Sequence, residues 1–314
     1  MEVTQGNLSA VFQGFDARFK RALDIKMMSE SSDLVRQEEG VSKTDSYPMS
    51  GLLGDLYEMV DELYVNDIWQ MVQDATATTF AGGLGVRKED IQDDNLGVYQ
   101  GPIDGLALQA KTHIGRNVAP TLLGGFTDVW GPDGETVFSA DHEWPGGETW
   151  GNYLSAALSE DNFDTACQML EEMTNPNGEP MGLSPKVLVV GPSNRATAEE
   201  IVERKTLANG ADNRLYQKAD LEVKPRITDD SWFVADTNPY DIDFDDADNK
   251  EILPRIQLPR PLLADVRSAV ETTSQTSPDA DSVFDRNEYR YKAELRYALM
   301  IFAPWLIVGS DGGS

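Results

Sequence analysis

Asp141, His142 and Glu143 stand side by side, and each carries a side chain able to ligate a metal ion or move a proton. Adjacent residues on an extended strand point to opposite faces, so three in a row rarely reach one ion. The other histidine, His113, falls in a helical stretch. Cys167 is the single cysteine, which excludes an intramolecular disulfide and a cysteine-based zinc cluster. The trio therefore reads as a structural loop histidine between two acids. The stretch DIDFDDADNKE (241–251) resembles the opening of a calcium loop. A calcium loop starting at Asp241 needs Gly at 246 and Glu at 252, where this chain has Asp246 and Ile252. A solvated acidic loop is the plainer reading, and Asp241, Asp243, Asp245, Asp246 and Asp248 remain candidates only for non-specific or structural cations. No GxxxxGK[ST], GxGxxG after a strand, GxSxG or HExxH is present, and GGLG at 82–85 precedes charged, strand-like sequence instead of a helix. Neither a catalytic residue nor a cofactor is expected.

Composition narrows the class further. Of 314 residues, 54 are Asp or Glu and 26 are Lys or Arg, for a net charge of −28. Lysine is the scarcer cation, at 11 against 15 arginines. A surface so charged repels itself in dilute buffer and is screened at about 1 M salt, where the Debye length falls to roughly 3 Å. That balance suggests adaptation to high salt. Hydrophobic residues make up 40% of the chain, enough for a substantial core. No window clusters Lys and Arg as a footprint on phosphate requires, so direct nucleic-acid binding is not expected. MEVTQGNLSA lacks the form of a signal peptide, and ALMIFAPWLIVG (298–309) is too short to span a bilayer. A soluble product of the cytoplasm is expected.

The elements follow from periodicity. Leu8, Val11, Phe12, Phe15, Phe19, Ala22 and Leu23 keep helical spacing within 8–28, followed by a polar tether over 29–46. Such a helix either packs on something outside the chain or docks on its own domain, and the pattern fits both. Residues 63–91 read as a two-stranded excursion with too little apolar content for a core. Pro102 opens a long helix ending at Gly124-Gly125, and VWGPDGETVFSA (129–140) carries a hairpin signal. Ser159 caps a helix that runs to about Met173. KVLVVGP, a capped helix from Ser193, and the strands LEVKPRI, SWFVAD and ILPRIQL look like a small α/β unit inserted at 186–261. NEYRYKAELRYA and LMIFAPWLIVG are closing strands.

The stretch VRKEDIQDDNLGVYQGPIDGLALQAKTHI (86–114) resembles the Mu-like major head protein family, the gpT type, in its acidic turn Asp90-Ile91-Gln92-Asp93-Asp94-Asn95-Leu96-Gly97-Val98-Tyr99 and in His113 on the helix that follows. GGFTDVWGPDGETVFSADHEWPGG (124–147), NYLSAALSEDNFDTACQML (152–170) and GEPMGLSPKVLVVGP (178–192) follow in the family's order. The resemblance runs over roughly 50–235. Glu143 and Trp144 stand before Pro145 where the family has His-Pro, a departure that touches no catalytic residue.

The resemblance implies an α+β chain with the Hong Kong ninety-seven-type viral capsid fold. Residues 1–50 would be an N-terminal arm and 51–94 the extended loop and its flanks. Residues 95–184 and 262–314 would form a peripheral domain around a long spine helix, and 185–261 an axial domain. Phe12, Phe15 and Phe19 on the arm, and Ile68 and Trp69 on the loop, would contact other subunits. The partners implied are further copies in hexamers and pentamers, a portal, and decoration or turret proteins. The shell would enclose double-stranded DNA without reading its sequence. It would be assembled in the host cytoplasm and carried in the virion, with no membrane contact. An encapsulin-type compartment of the same fold, or a halophilic cytoplasmic enzyme or binding protein, are the alternatives.

Overall fold

A computed structural model describes residues 4–25, 33–50, 70–206, 210–239, 259–277 and 281–313. Helix α1 (Gln5–Leu23) starts where the Thr4 hydroxyl accepts the Asn7 amide at 3.3 Å, and Lys20 and Arg21 in its last turn suit the negative end of the helix dipole. Strands β1 (Val35–Glu39), β2 (Thr44–Ser50), β3 (Gln70–Thr76) and β4 (Thr78–Arg87) follow, then the short helix α2 (Lys88–Gln92). Helix α3 (Gln100–Gly124) contains Pro102, Gly115 and Pro120, and the glycine pair ends it as the sequence predicts. Three two-residue strands come next: β5 (His142–Glu143), β6 (Thr149–Trp150) and β7 (Tyr153–Leu154). Helix α4 (Glu160–Glu171) is capped by the Ser159 hydroxyl on the Asn162 amide at 3.2 Å, with Glu160 and Asp161 in its first turn. The remainder is β8 (Val187–Val190), α5 (Arg195–Val202), β9 (Asp220–Val223), β10 (Trp232–Ala235), β11 (Leu262–Ser274), α6 (Asp281–Arg286), β12 (Glu288–Ile301) and β13 (Ile307–Ser310).

Two sheets organise these elements. One has the order β1-β11-β12-β4, antiparallel except where β1 runs parallel to β11. The other has the order β7-β13-β10-β8-β9, with parallel pairs at both ends. A separate ribbon pairs β2 with β3, from Thr44 opposite Thr76 to Ser50 opposite Gln70.

Pairing corrects the sequence reading in four places. The two-stranded excursion expected over 63–91 instead joins 44–50 to 70–76, and 78–87 lies in the four-stranded sheet. The polar tether contains β1, which pairs with β11 over 200 residues away. The expected hairpin at 129–140 is a turn closed by a single bridge between Val129 and Thr136, with Gly134 at φ +86°. The α/β unit at 186–261 is not self-contained, because β13 sits between its strand β10 and β7. Strand partners so distant leave no trace in local periodicity.

Two hydrophobic clusters form, the larger also taking in Leu262, Leu263 and Ile301 of the four-stranded sheet, and α3 runs from one into the other. Its first half contributes Ile103, Ala107 and Ala110 to a cluster with α1, Val86, Tyr289 and Tyr291. Its second half contributes Val118, Ala119 and Leu122 to the larger core, around the five-stranded sheet and Trp130, Trp144 and Trp150. With 25 residues at 1.5 Å each, the helix measures about 37 Å, long enough to fix the two cores at a set spacing.

Candidate assembly surfaces

The arm helix is the first surface to place. Phe12 stacks on Tyr291 with ring centroids 6.1 Å apart, and Phe15 and Phe19 meet the same ring edge-on at 6.1 and 6.3 Å. The Tyr291 and Thr272 hydroxyls both donate to Asp16, each at 2.8 Å. The Arg18 guanidinium grips the Asp104 carboxylate on α3 through two nitrogens, at 2.8 and 2.5 Å. Lys111 on α3 donates to the Leu23 carbonyl, and to that of Ile25 at 2.5 Å, so the helix end is tied down as well. Phe12, Phe15 and Phe19 are 2%, 7% and 1% exposed. Within the single chain these rings, expected to contact other subunits, pack on Tyr291. Burying three phenyl rings here removes them from water without any second copy.

Ile68 and Trp69, the other expected contacts, lie outside the described residues, as do Asp241, Asp243, Asp245, Asp246 and Asp248. The ribbon that leads to the first pair buries Met49 and Met71 against the larger core and leaves Val72 52% exposed. Polar pairs lace it together, among them the Thr44 and Thr76 hydroxyls at 3.1 Å and Ser46 donating to Asp74 at 2.6 Å.

The acidic turn that resembles the head-protein pattern is built from local hydrogen bonds. The Tyr99 hydroxyl donates to Asp90 at 2.6 Å and accepts the Arg87 amide at 3.0 Å. Asn95 donates to the other Asp90 oxygen at 3.3 Å, and Asp94 takes the left-handed conformation at φ +56°. Burial and the bond to Asp90 raise the Tyr99 pKa. Asp90, Asn95 and Tyr99 thus fold the entry to α3, which accounts for their types and spacing.

Neither histidine faces an open cleft with other ligands. His142 is fully buried, with Nδ1 2.5 Å from Asp133 and Nε2 3.2 Å from the Val137 carbonyl. The Asp133 carboxylate and the Val137 carbonyl are both acceptors, so each ring nitrogen faces one. Its ring stacks on Trp150 at 4.1 Å and meets Trp130 edge-on at 5.5 Å. Asp141 and Glu143 are exposed on either side, as strand alternation requires. His113 lies 2.8 Å from the Tyr297 hydroxyl and 4.6 Å from the Phe80 ring centroid. Burial lowers its pKa, and the positive charges of Arg226 and Arg116 add to that. Burial also pushes the Cys167 thiol up to about 12. Among the described residues no group of three His, Cys, Asp or Glu side chains is arranged to hold a metal ion.

One group escaped the sequence reading. Asp265 on β11 is fully buried, and neither carboxylate oxygen has a hydrogen-bond partner. The Tyr47 hydroxyl beside it favours the charged form, and Asp45 and Glu38 oppose it. Burial raises its pKa, with those two carboxylates adding to the rise. The signal was present as a lone acid in the apolar run LLADV.

Two cores bridged by one long helix, with a polar ribbon and a docked arm, are an architecture shared with viral shell subunits. The chain superposes on the procapsid of bacteriophage JBD30 with a TM-score of 0.58, 98% of this chain and 76% of that one being covered at 19% identity. Against the capsid of the same phage decorated with minor capsid protein trimers the score is 0.51, covering 71% and 98% at 20% identity. The fold is α+β and of the Hong Kong ninety-seven type, as the resemblance implied. The family model of the Mu-like prophage major head subunit gpT matches residues 8–157 and 152–227, and the chain belongs to that family of structural subunits. The Mu-like prophage FluMu major head subunit of Haemophilus influenzae is 27% identical over 140 residues. That alignment spans 45% of this chain and 45% of the relative. No helix among the described residues is long and apolar enough to cross a membrane.

Proposed function

We propose that this chain is the major capsid protein of a tailed virus, self-assembling as hexamers and pentamers into an icosahedral shell around double-stranded DNA. The observation that supports this most is the match to head-subunit sequences in a chain whose whole length follows a procapsid subunit. The shell is assembled in the host cytoplasm and carried in the virion, closing on a portal. By analogy with the minor capsid protein trimers on the JBD30 capsid, decoration proteins bind its outer side. Ile68 and Trp69 contact a neighbouring subunit in this reading.

The net charge of −28 sets the conditions of assembly. Each added copy brings more negative charge to its neighbours, so repulsion grows with the shell while the core of each subunit stays the same. Concentrated salt screens it, and the carboxylates of Asp241, Asp243, Asp245, Asp246 and Asp248 gather cations from the medium. The test is electron microscopy of the purified protein in about 2 M salt, followed by dilution to about 0.1 M, where the Debye length reaches about 10 Å. Shells are expected in high salt and should come apart during dilution, before circular dichroism reports loss of the fold. A small oligomer at every salt concentration sinks the shell reading. Particles that stay whole in dilute buffer leave the shell and remove the salt adaptation. Virus-derived particles that never contain genomic DNA would favour a compartment.

A further inference from the structure

The four-stranded sheet has one covered face and one open face. Tyr289, Tyr291 and Ala293 on β12 point into the core beneath α1 and α3. Their neighbours Glu288, Arg290, Lys292, Glu294 and Arg296 point the other way, and the register sets Gly83 and Gly85 of β4 opposite Lys292 and Arg290. A Cβ at Gly83 would stand 2.9 Å from the Tyr291 carbonyl, and one at Gly85 would stand 2.6 Å from the Glu288 carboxylate. The two glycines therefore bring β4 close to β12 and leave its outer side bare. The result is a cleft of about 470 Å³, with Arg286, Arg290 and Lys292 in its wall and Glu288 as its one acid.

Three cations to one acid reverses the composition of the chain, which has 26 cations to 54 acids. Arg286, Arg290 and Lys292 are all exposed. Basic residues are scarce here, and three of them around one concavity give it a local positive potential. Lys292 nonetheless pairs with Glu294 at 2.7 Å, Arg290 stands 3.7 Å from Glu288, and a second cleft lined by Arg116, Lys224, Arg226 and Glu222 has the same balance. A neighbouring copy is the acidic partner that an assembling subunit always meets. Nucleic acid fits less well. Along β12 the signs run Glu288, Arg290, Lys292, Glu294, Arg296, and the two flanking acids would repel an unbroken row of phosphates. A protein segment with a few acids among neutral residues suits that alternation.

We propose that this cleft is an intersubunit socket that receives carboxylates from a second copy of this chain. The inference rests on the shell reading and adds to it a specific attractive contact between two strongly acidic subunits. Such contacts offset the general repulsion locally, where the cations are, and fix the register of one copy on the next.

The test pairs a charge reversal with a crosslink. Arg290→Glu with Lys292→Glu should leave circular dichroism unchanged and lower the melting temperature of dissociated subunits only slightly, through loss of the exposed pairs with Glu288 and Glu294, while lowering shell yield by at least about tenfold at the salt concentration that suits the parent. Arg290→Lys with Lys292→Arg should keep most of the yield. Particles assembled from a mixture of isotopically heavy and light copies, treated with a water-soluble carbodiimide, should join Lys292 of one copy to an Asp or Glu of the other isotope. Full-yield assembly of the reversed variant overturns the proposal, and so does a Lys292 crosslink found only within one chain. Full yield with reduced DNA content would make the cleft a nucleic-acid contact instead, and overturns it too. If the unaltered protein forms no particles in any salt, the shell reading fails and takes the socket with it. Particles indifferent to the reversal remove the socket alone.

Discussion

The two sheets solve burial in opposite ways. In the five-stranded sheet, every residue of β8 (VLVV), β10 (WFVA) and β13 (IVGS) is buried. Continuous apolar runs of this kind belong to strands covered on both faces. In the four-stranded sheet, β12 alternates from Tyr289 inward to Arg290 outward along much of its length. The first sheet finishes its hydrophobic burial within the chain. The second spends one face on α1 and α3 and presents the other, charged, to whatever lies outside. A subunit that must fold alone and then join others needs both designs, and here they fall in different sheets.

The sharpest break of this contrast is Phe233→Ala on β10 set beside Lys292→Ala on β12. The first should destabilise the dissociated subunit by about 3–5 kcal/mol, the usual loss for truncating a buried aromatic. The second should stay within about 0.5 kcal/mol. Urea unfolding in high salt measures both, and similar losses would end the distinction. Next in size is Phe12→Ala, expected to cost the dissociated subunit about 3 kcal/mol because the ring packs on Tyr291 of its own chain. An unchanged subunit with weaker shells would return the arm to a role between copies. Asp133→Ala should cost about 1–3 kcal/mol by leaving the buried His142 Nδ1 without its partner, and again the loss should show without assembly.

The smallest expected effect is a gain. Burial holds the Asp265 pKa above its ordinary 3.8, so the folded state keeps this proton more tightly than the unfolded chain does. Its contribution to stability is complete below 3.8 and is lost as pH rises through the raised value. Asp265→Asn does not titrate. Its melting temperature should hold level over that rise while the parent's falls, and should exceed the parent's by a few degrees at neutral pH. Parallel pH profiles would show that the carboxyl is already accommodated in its charged form.

What was legible in the sequence is what depends on neighbours along the chain. The bounds of α3 follow from Pro102 and the Gly124-Gly125 stop, and those of α4 from Ser159. The acidic turn before α3 is readable because Asp90, Asn95 and Tyr99 bond to each other. The arm was readable as a helix but not as a docked one, since Phe12 lies 279 positions from Tyr291, the difference between the two numbers. Local pattern misplaces the ribbon for the same reason. Thr78 to Arg87 look like half of a hairpin, yet their partner is β12, from Tyr297 back to Glu288. Asp265 was passed over because 54 acids make any one of them unremarked until its burial is known.

Both sheets are completed by the strands nearest the end of the described chain. β12 lies between β11 and β4, and β13 between β7 and β10. These are interior places, so the four-stranded sheet cannot close until residue 301 has left the ribosome, nor the five-stranded sheet until residue 310 has. At about 5–20 residues per second, the earlier elements wait several seconds to tens of seconds for their missing strands. A nascent or prematurely terminated chain therefore presents no finished surface to a growing shell. The strand order thus ties assembly to complete translation, and a fragment lacking β12 and β13 is expected to stay out of the shell.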